Sequence, residues 1–164
     1  MTKKVAVVMG SASDLPKIQN CIDTLKKLEI PTVVRIMSAH RTPEAVAEFT
    51  ESAADNGFGV IIAAAGAAAH LAGAIAAHTL LPVIGIPVEG GAFKGMDALL
   101  STVQMPGGIP VATVGVGSGG ATNAALLAAQ MLALNDAEVH ARLLADRLER
   151  KEKVLKADQE MQNL

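Results

Sequence analysis

The sequence predicts an α/β protein: a three-layer α/β/α sandwich around a five-stranded parallel sheet of the flavodoxin/Rossmann-like kind. Three observations lead there. Apolar runs such as Lys4–Met9 (KVAVVM) lack polar alternation, as strands covered on both faces do. Each run ends in small or polar residues and gives way to apolar residues three and four apart, the helix period. The alternation occurs five times, and strand–helix units in series build a parallel sheet with right-handed crossovers.

The first strand breaks at Gly10-Ser11-Ala12-Ser13-Asp14, and Ile18, Cys21, Ile22, Leu25 and Leu28 then make 14–28 an amphipathic helix. Pro31 opens a second strand, Thr32–Met37, which runs through Ser38–Thr42 into a helix spanning about Pro43–Asn56. Thr42 suits its N-cap and Pro43 its first turn, where a missing N–H costs nothing. Glu44 suits the positive end of the dipole, and Val46, Phe49 and Ala53 face inward. A third strand, Val60–Ala64, leads through the loop 65–69 to a helix over His70–Thr79. Pro82–Ile86 is the fourth strand. The glycine-rich segment Pro87–Pro110 follows, with a short helix near Met96–Gln104. Val111–Val116 is the fifth strand, Gly117–Gly120 a turn, and Ala121–Leu134 an Ala/Leu-rich helix.

The tail, Asp136–Leu164, alternates in charge and carries only a thin stripe: Val139, Leu143, Leu144, Leu148 and Leu155. We therefore divide the chain into one α/β domain, 1–134, and a C-terminal helical extension, 135–164. The narrow stripe favours a helix that extends onto a neighbouring subunit over one packed on its own domain.

At 164 residues the chain suffices for one domain with a proper core. Fourteen basic against sixteen acidic residues give −2, so neither nucleic acid nor a membrane surface is implied as partner. The three aromatics, Phe49, Phe58 and Phe93, are too few for base stacking. Hydrophobic residues reach 51%, much of it Ala, and such excess apolar surface points to a homo-oligomer. The single Cys21 excludes an intrachain disulfide, and four scattered histidines without a ligand pattern make no metal site. Val60–Ala77 is 18 residues without charge, but Gly66, His70, Gly73 and many alanines fit a strand-loop-helix better than a membrane span. No cleavable leader pattern precedes the first strand, and a cytoplasmic protein is expected.

Three loops, 10–14, 38–42 and 65–70, would converge on the carboxyl rim of the sheet, where α/β proteins bind ligands. Ser38, His40 and Arg41 supply a hydroxyl, an imidazole able to give and take protons near neutral pH, and a bidentate anion clamp. By itself such a His-Arg pair is as consistent with a satisfied turn and a solvated charge. Gly10, Ser11 and Ser13 resemble a phosphate loop without matching a standard pattern. Ser13 could equally cap the helix. Asp14 would repel phosphate, so a role there would be to accept hydrogen bonds from sugar hydroxyls. Residues 65–70 are nearly all backbone, a surface for a flat ring. His70 alone is more often structural, and His78 and His140 are weak candidates.

Five motifs settle the comparison: Met9-Gly-Ser-Ala-Ser-Asp14, Ser38-Ala-His-Arg-Thr-Pro43, Gly66-Ala-Ala-Ala-His-Leu71, Asp97-Ala-Leu-Leu-Ser-Thr-Val-Gln-Met-Pro106 and Asn123-Ala-Ala-Leu-Leu-Ala-Ala-Gln130. Their order and spacing over 4–134 resemble the PurE family, in particular its N5-carboxyaminoimidazole ribonucleotide mutases of purine biosynthesis. The resemblance implies a cofactor-free carboxyl shift: the carbamate loses CO2, which stays trapped, and ring carbon C4 captures it. On this chain it implies His40 as general acid/base, and Ser11, Ser13, Asp14 and Arg41 as ribotide-binding residues. Ser38, Ala39, Gly66, Ala67, His70 and Leu71 would contact phosphate and base. It also implies a homo-octamer, functional coupling to the ATP-dependent carboxyaminoimidazole ribonucleotide synthetase, and a closing role for 87–110. Ala72 stands where the family commonly has proline, and Glu89 adds a charge near that closing segment. The family's other class carboxylates aminoimidazole ribotide directly with CO2 and typically has lysine in place of Arg41. A non-catalytic flavodoxin-like nucleotide-binding module would share the sheet but not need His40.

Overall fold

The structure is a computed structural model that describes residues 2–163. Five strands, β1 (Lys4–Met9), β2 (Thr32–Ile36), β3 (Phe58–Gly66), β4 (Val83–Val88) and β5 (Ala112–Thr113), form one all-parallel sheet in the order β2-β1-β3-β4-β5. This is the flavodoxin order, whose topological switch point lies between β1 and β3. Helices α1 (Leu15–Lys27), α2 (Pro43–Ser52), α3 (Leu71–Ala76), α4 (Met96–Val103), α5 (Ser118–Ala133) and α6 (Ala137–Gln162) complete the chain.

The pleat of β1 divides the core. Val5, Val7 and Met9 face Ile18, Cys21 and Leu25 of α1 and the alanine face of α5. Ala6 and Val8 face Val46 of α2 and Leu71 and Ile75 of α3. Each valine of β1 is fully buried, contributing roughly 1.5–3 kcal/mol, so β1 anchors the layers. Small residues set how closely the helices approach. A side chain at Gly85 would run into Thr102 of α4, and one at Gly120 into the carbonyl of Gly115. Burial pushes the Cys21 thiol up to about 12, which leaves it an inert core residue.

The register levels the strand ends. Met9 lies opposite Ile36 and Ala64, and Ala64 opposite Ile86, so the loops after β1, β2, β3 and β4 leave from one rim. Two strands run further than expected: Ala65 and Gly66 pair with Pro87 and Val88 instead of forming a loop. A Cβ at Gly66 would sit 3.2 Å from the Val88 carbonyl oxygen, so glycine permits that approach. The expected fifth strand, Val111–Val116, shrinks to Ala112–Thr113, with one more bond from the Val114 amide to the Gly85 carbonyl. It is an edge strand hemmed by Pro110 and the glycines that follow, which end the pairing. The helix expected over 70–79 is likewise only Leu71–Ala76.

The start of the tail helix returns to its own chain. Asp136 caps α6, accepting from the amides of Glu138 and Val139, and Val139 is fully buried. About two turns on, buried Asp146 accepts from Lys27 of α1 at 2.7 Å and from Arg150 at 2.6 Å. Leu144, Leu148 and Leu155 of the expected stripe remain about half exposed. Burial, the largest single influence on the Asp146 carboxyl, would raise it, but Arg150 and Lys27 together hold it below the usual range. Lys153 and Lys27 draw Glu149 from 4.5 to about 2. Depressed carboxylates add stability above their ordinary values and lose it as the pH falls through the folded-state values. The Lys27 clamp should hold down to about pH 4.5 and loosen progressively toward about 2. Hydrogen exchange of the first half of α6 checks this; protection unchanged at about pH 3 would contradict it.

Candidate active site

Four rim loops enclose a cavity of about 460 Å³ at the switch point. The turn after β2 carries most of its functional groups and is braced internally. The Ser38 hydroxyl accepts from the amides of His40 (3.3 Å) and Arg41 (3.2 Å) and from Arg41 Nε (3.4 Å). Thr42 stands at the N-cap position of α2, as expected, but its Oγ1 accepts from the Ser38 amide at 2.9 Å and closes the turn instead of making a cap bond. Pro43 and Glu44 stand in the first turn as anticipated. Arg41 then reaches across the rim, its Nη2 donating to the Gly10 carbonyl at 2.7 Å.

The loop after β1 reverses one expectation. Its cap is Ser11, whose Oγ accepts from the Ser13 amide at 3.3 Å and starts a 3₁₀ turn over Ala12–Asp14. The Ser13 hydroxyl is bonded to that of Ser11 at 2.9 Å, and Ser13 does not line the cavity. Ser11 and Asp14 do. Partial burial raises the Asp14 carboxyl, against the lowering influence of Lys17, the Ser11 backbone hydrogen bond and Arg41. A Cβ added at Gly10 would meet no protein atom within 4 Å, so the protein itself imposes no steric demand for glycine there.

Beyond β3 the chain turns through Ala67, held at φ +54° in the left-handed region that an alanine adopts at a cost. Gly66, Ala67, His70 and Leu71 all border the cavity, with Ala39 opposite on the β2 turn. His70 comes directly to His40. Their rings meet edge to face with centroids 4.8 Å apart, and His40 Nε2 lies 2.8 Å from His70 Nδ1. Such a bond fixes which ring nitrogen carries a proton. The sequence treated these histidines separately, thirty residues apart; only the level strand ends join them.

One further contributor escaped the sequence reading. Lys17, one turn after Asp14, lines the cavity and donates to the Glu89 carbonyl at 2.6 Å. Val88–Gly91, at the start of the segment expected to close over the site, supply the remaining wall. The i, i+3 spacing of Asp14 and Lys17 was the available signal, since it puts both at the first turn of α1. His78 lies outside this cavity, with Nδ1 3.1 Å from Glu51. His140 also lies outside it, in a groove between α5 and α6.

The fold and site define a class: a doubly wound parallel α/β protein with a cavity at its switch point, bordered by a histidine pair, a carboxyl and a guanidinium. The family follows from comparison. The family model described as AIR carboxylase matches residues 4–153, and the chain belongs to that family. Over 140 residues it is 55% identical to the N5-carboxyaminoimidazole ribonucleotide mutase of Escherichia coli (strain K12), covering 85% of this chain and 83% of that protein. The Bacillus subtilis (strain 168) mutase is 47% identical over 98% of this chain and 99% of its own length. The crystal structure of Treponema denticola PurE superposes with a TM-score of 0.85 at 30% identity, covering 95% and 96% of the two chains.

Proposed function

We propose that this protein is an N5-carboxyaminoimidazole ribonucleotide mutase of purine biosynthesis, converting the carbamate to 4-carboxy-5-aminoimidazole ribonucleotide. One observation carries the assignment to this site. The His40 imidazole stands on the same braced turn as Arg41, beside a cavity bordered by Ser11, Asp14 and the backbone of 66–71. Protonated His40 donates to the carbamate nitrogen as the N–C bond breaks, releasing CO2 and aminoimidazole ribotide. C4 of the ring then attacks CO2, a C–C bond forms, and the C4 proton returns to His40. The imidazole ends as it began, and no redox partner or cofactor is needed. With Nε2 engaged by His70, Nδ1 is the ring nitrogen left for the transferred proton.

In this reading Arg41 takes the phosphate, Asp14 the ribose hydroxyls, and Ser11, Ser38, Ala39, Gly66, Ala67 and Leu71 the remaining surface. The Lys17 link to Glu89 braces the segment that keeps CO2 from escaping. The protein works in the cytoplasm as a homo-octamer, fed with carbamate by the ATP-dependent synthetase. Exposed Met96, Leu100 and Val103, spaced by three and four along α4, and Phe93 in the turn before it support assembly, as do Leu144, Leu148 and Leu155 of α6 for contact with a neighbouring subunit.

The test is to offer the carbamate ribotide and, separately, aminoimidazole ribotide with bicarbonate, following ring carboxylation by absorbance. Conversion of the first alone is expected. Equal or preferred use of the second would assign the direct carboxylation reaction, and use of neither would leave a binding module.

A further inference from the structure

Ser101 lies on α4, outside the residues that border the cavity, yet it grips the loop that carries His70. Its Oγ accepts from the Ala69 amide at 3.0 Å and is also within 3.4 Å of the Ala67 carbonyl oxygen. Its own proton is best directed at the Asp97 carbonyl, 2.8 Å away in the same helix, which leaves the lone pairs for the loop. Ala69 is 1% exposed, so its amide has no recourse to water. The other bonds nearby are local: Ala69 to Ala67 and His70 to Ala68, each 2.9 Å. Between them stands the left-handed Ala67, a conformation that persists only where the surroundings enforce it. Next in the chain is His70, whose Nδ1 meets His40 Nε2.

We propose that Ser101 is a positioning residue: by holding the Ala67–Ala69 turn from α4 it aims His70 at His40 and so sets the orientation of the proton-transferring imidazole. The proposal rests on the reading of His40 as acid/base. Losing the hydroxyl leaves the Ala69 amide only its local bond to the Ala67 carbonyl and removes the tie from α4, so the turn is free to relax and the histidine pair loosens while Arg41 and Asp14, on other loops, stay as they are.

A double-mutant cycle tests this, with Ser101→Ala, Ser101→Thr and His70→Asn assayed singly and Ser101→Ala combined with His70→Asn. Ser101→Ala is expected to lower kcat about tenfold with KM nearly unchanged and to move the pH profile of kcat. Ser101→Thr, which keeps the oxygen, should restore kcat to within about twofold, and Ser101→Ala in the His70→Asn background should cost less than about twofold more. Equal losses in both backgrounds, or a rise in KM with an unmoved pH profile, would overturn the assignment. Should the alanine variant melt below assay temperature, Ser101→Cys fills similar space with a weaker acceptor and carries the same comparison. Imidazole nitrogen shifts in NMR give a readout free of turnover: those of His40 and His70 should change in Ser101→Ala, and unchanged shifts would also refute it. Failure of the mutase reading looks different, because the unsubstituted chain then shows no preference for the carbamate ribotide or turns over neither substrate.

Discussion

His40→Asn is expected to lower kcat by about 10²–10⁴-fold while KM changes little. Asparagine keeps a polar amide where Nδ1 stands but is too short to replace Nε2, so the variant gives up the contact with His70 Nδ1 without placing an apolar group at the turn. What it lacks is a nitrogen that titrates. The carbamate nitrogen then departs without a proton donor, and the C4 proton has no base to take it. Substrate binding rests on other residues, chiefly Arg41, Asp14 and the 66–71 backbone, so the loss belongs in kcat. Steady-state kinetics with the carbamate ribotide decide it. A variant within about threefold of the parent kcat would remove His40 from the chemistry.

Arg41→Ala should weaken ribotide affinity by roughly 10–100-fold, the value of a charge-assisted bond of about 1.5–3 kcal/mol. The guanidinium is already positioned, tied through Nη2 to the Gly10 carbonyl and through Nε to the Ser38 hydroxyl. A side chain held this way loses little freedom when an anion arrives. Arg41→Lys keeps the charge but not the planar fork, so it should recover only part of the loss. Titration calorimetry with the ribotide reads the effect directly, and a change of less than about twofold in Kd would exclude the phosphate role.

Much of this was legible from local pattern. β1 falls on Lys4–Met9 as its β-branched run suggested, and α4 and α5 begin within three residues of their expected starts. The cavity gathers Ser11, Asp14, Ser38, His40 and Arg41 because βα loops in a parallel sheet must leave by one rim. What stayed hidden depends on distant neighbours. Ala65 and Gly66 look like loop residues until Pro87 and Val88 are seen beside them. Thr42 fits an N-cap by sequence, but the Ser38 amide, brought near by the turn, takes its hydroxyl first. The Ser11–Ser13 exchange is of the same kind: two hydroxyls two residues apart compete for one helix start, and only the backbone geometry chooses. Asp146 sits 119 residues from Lys27, so no local pattern could pair them or foretell that the first turns of α6 return to α1. The His40–His70 contact, central to the proposed chemistry, requires two strand ends to be level, which is a property of register.

Running the two-substrate comparison in ¹³C-bicarbonate tests most directly whether the carboxyl group moves within the closed site. Starting from unlabelled carbamate ribotide, the carboxylate formed at C4 should carry the carbon that left the nitrogen, with label from the medium nearly absent. Product labelled to the level of the surrounding bicarbonate would mean that CO2 comes from solution, and the caged transfer at His40 would be contradicted.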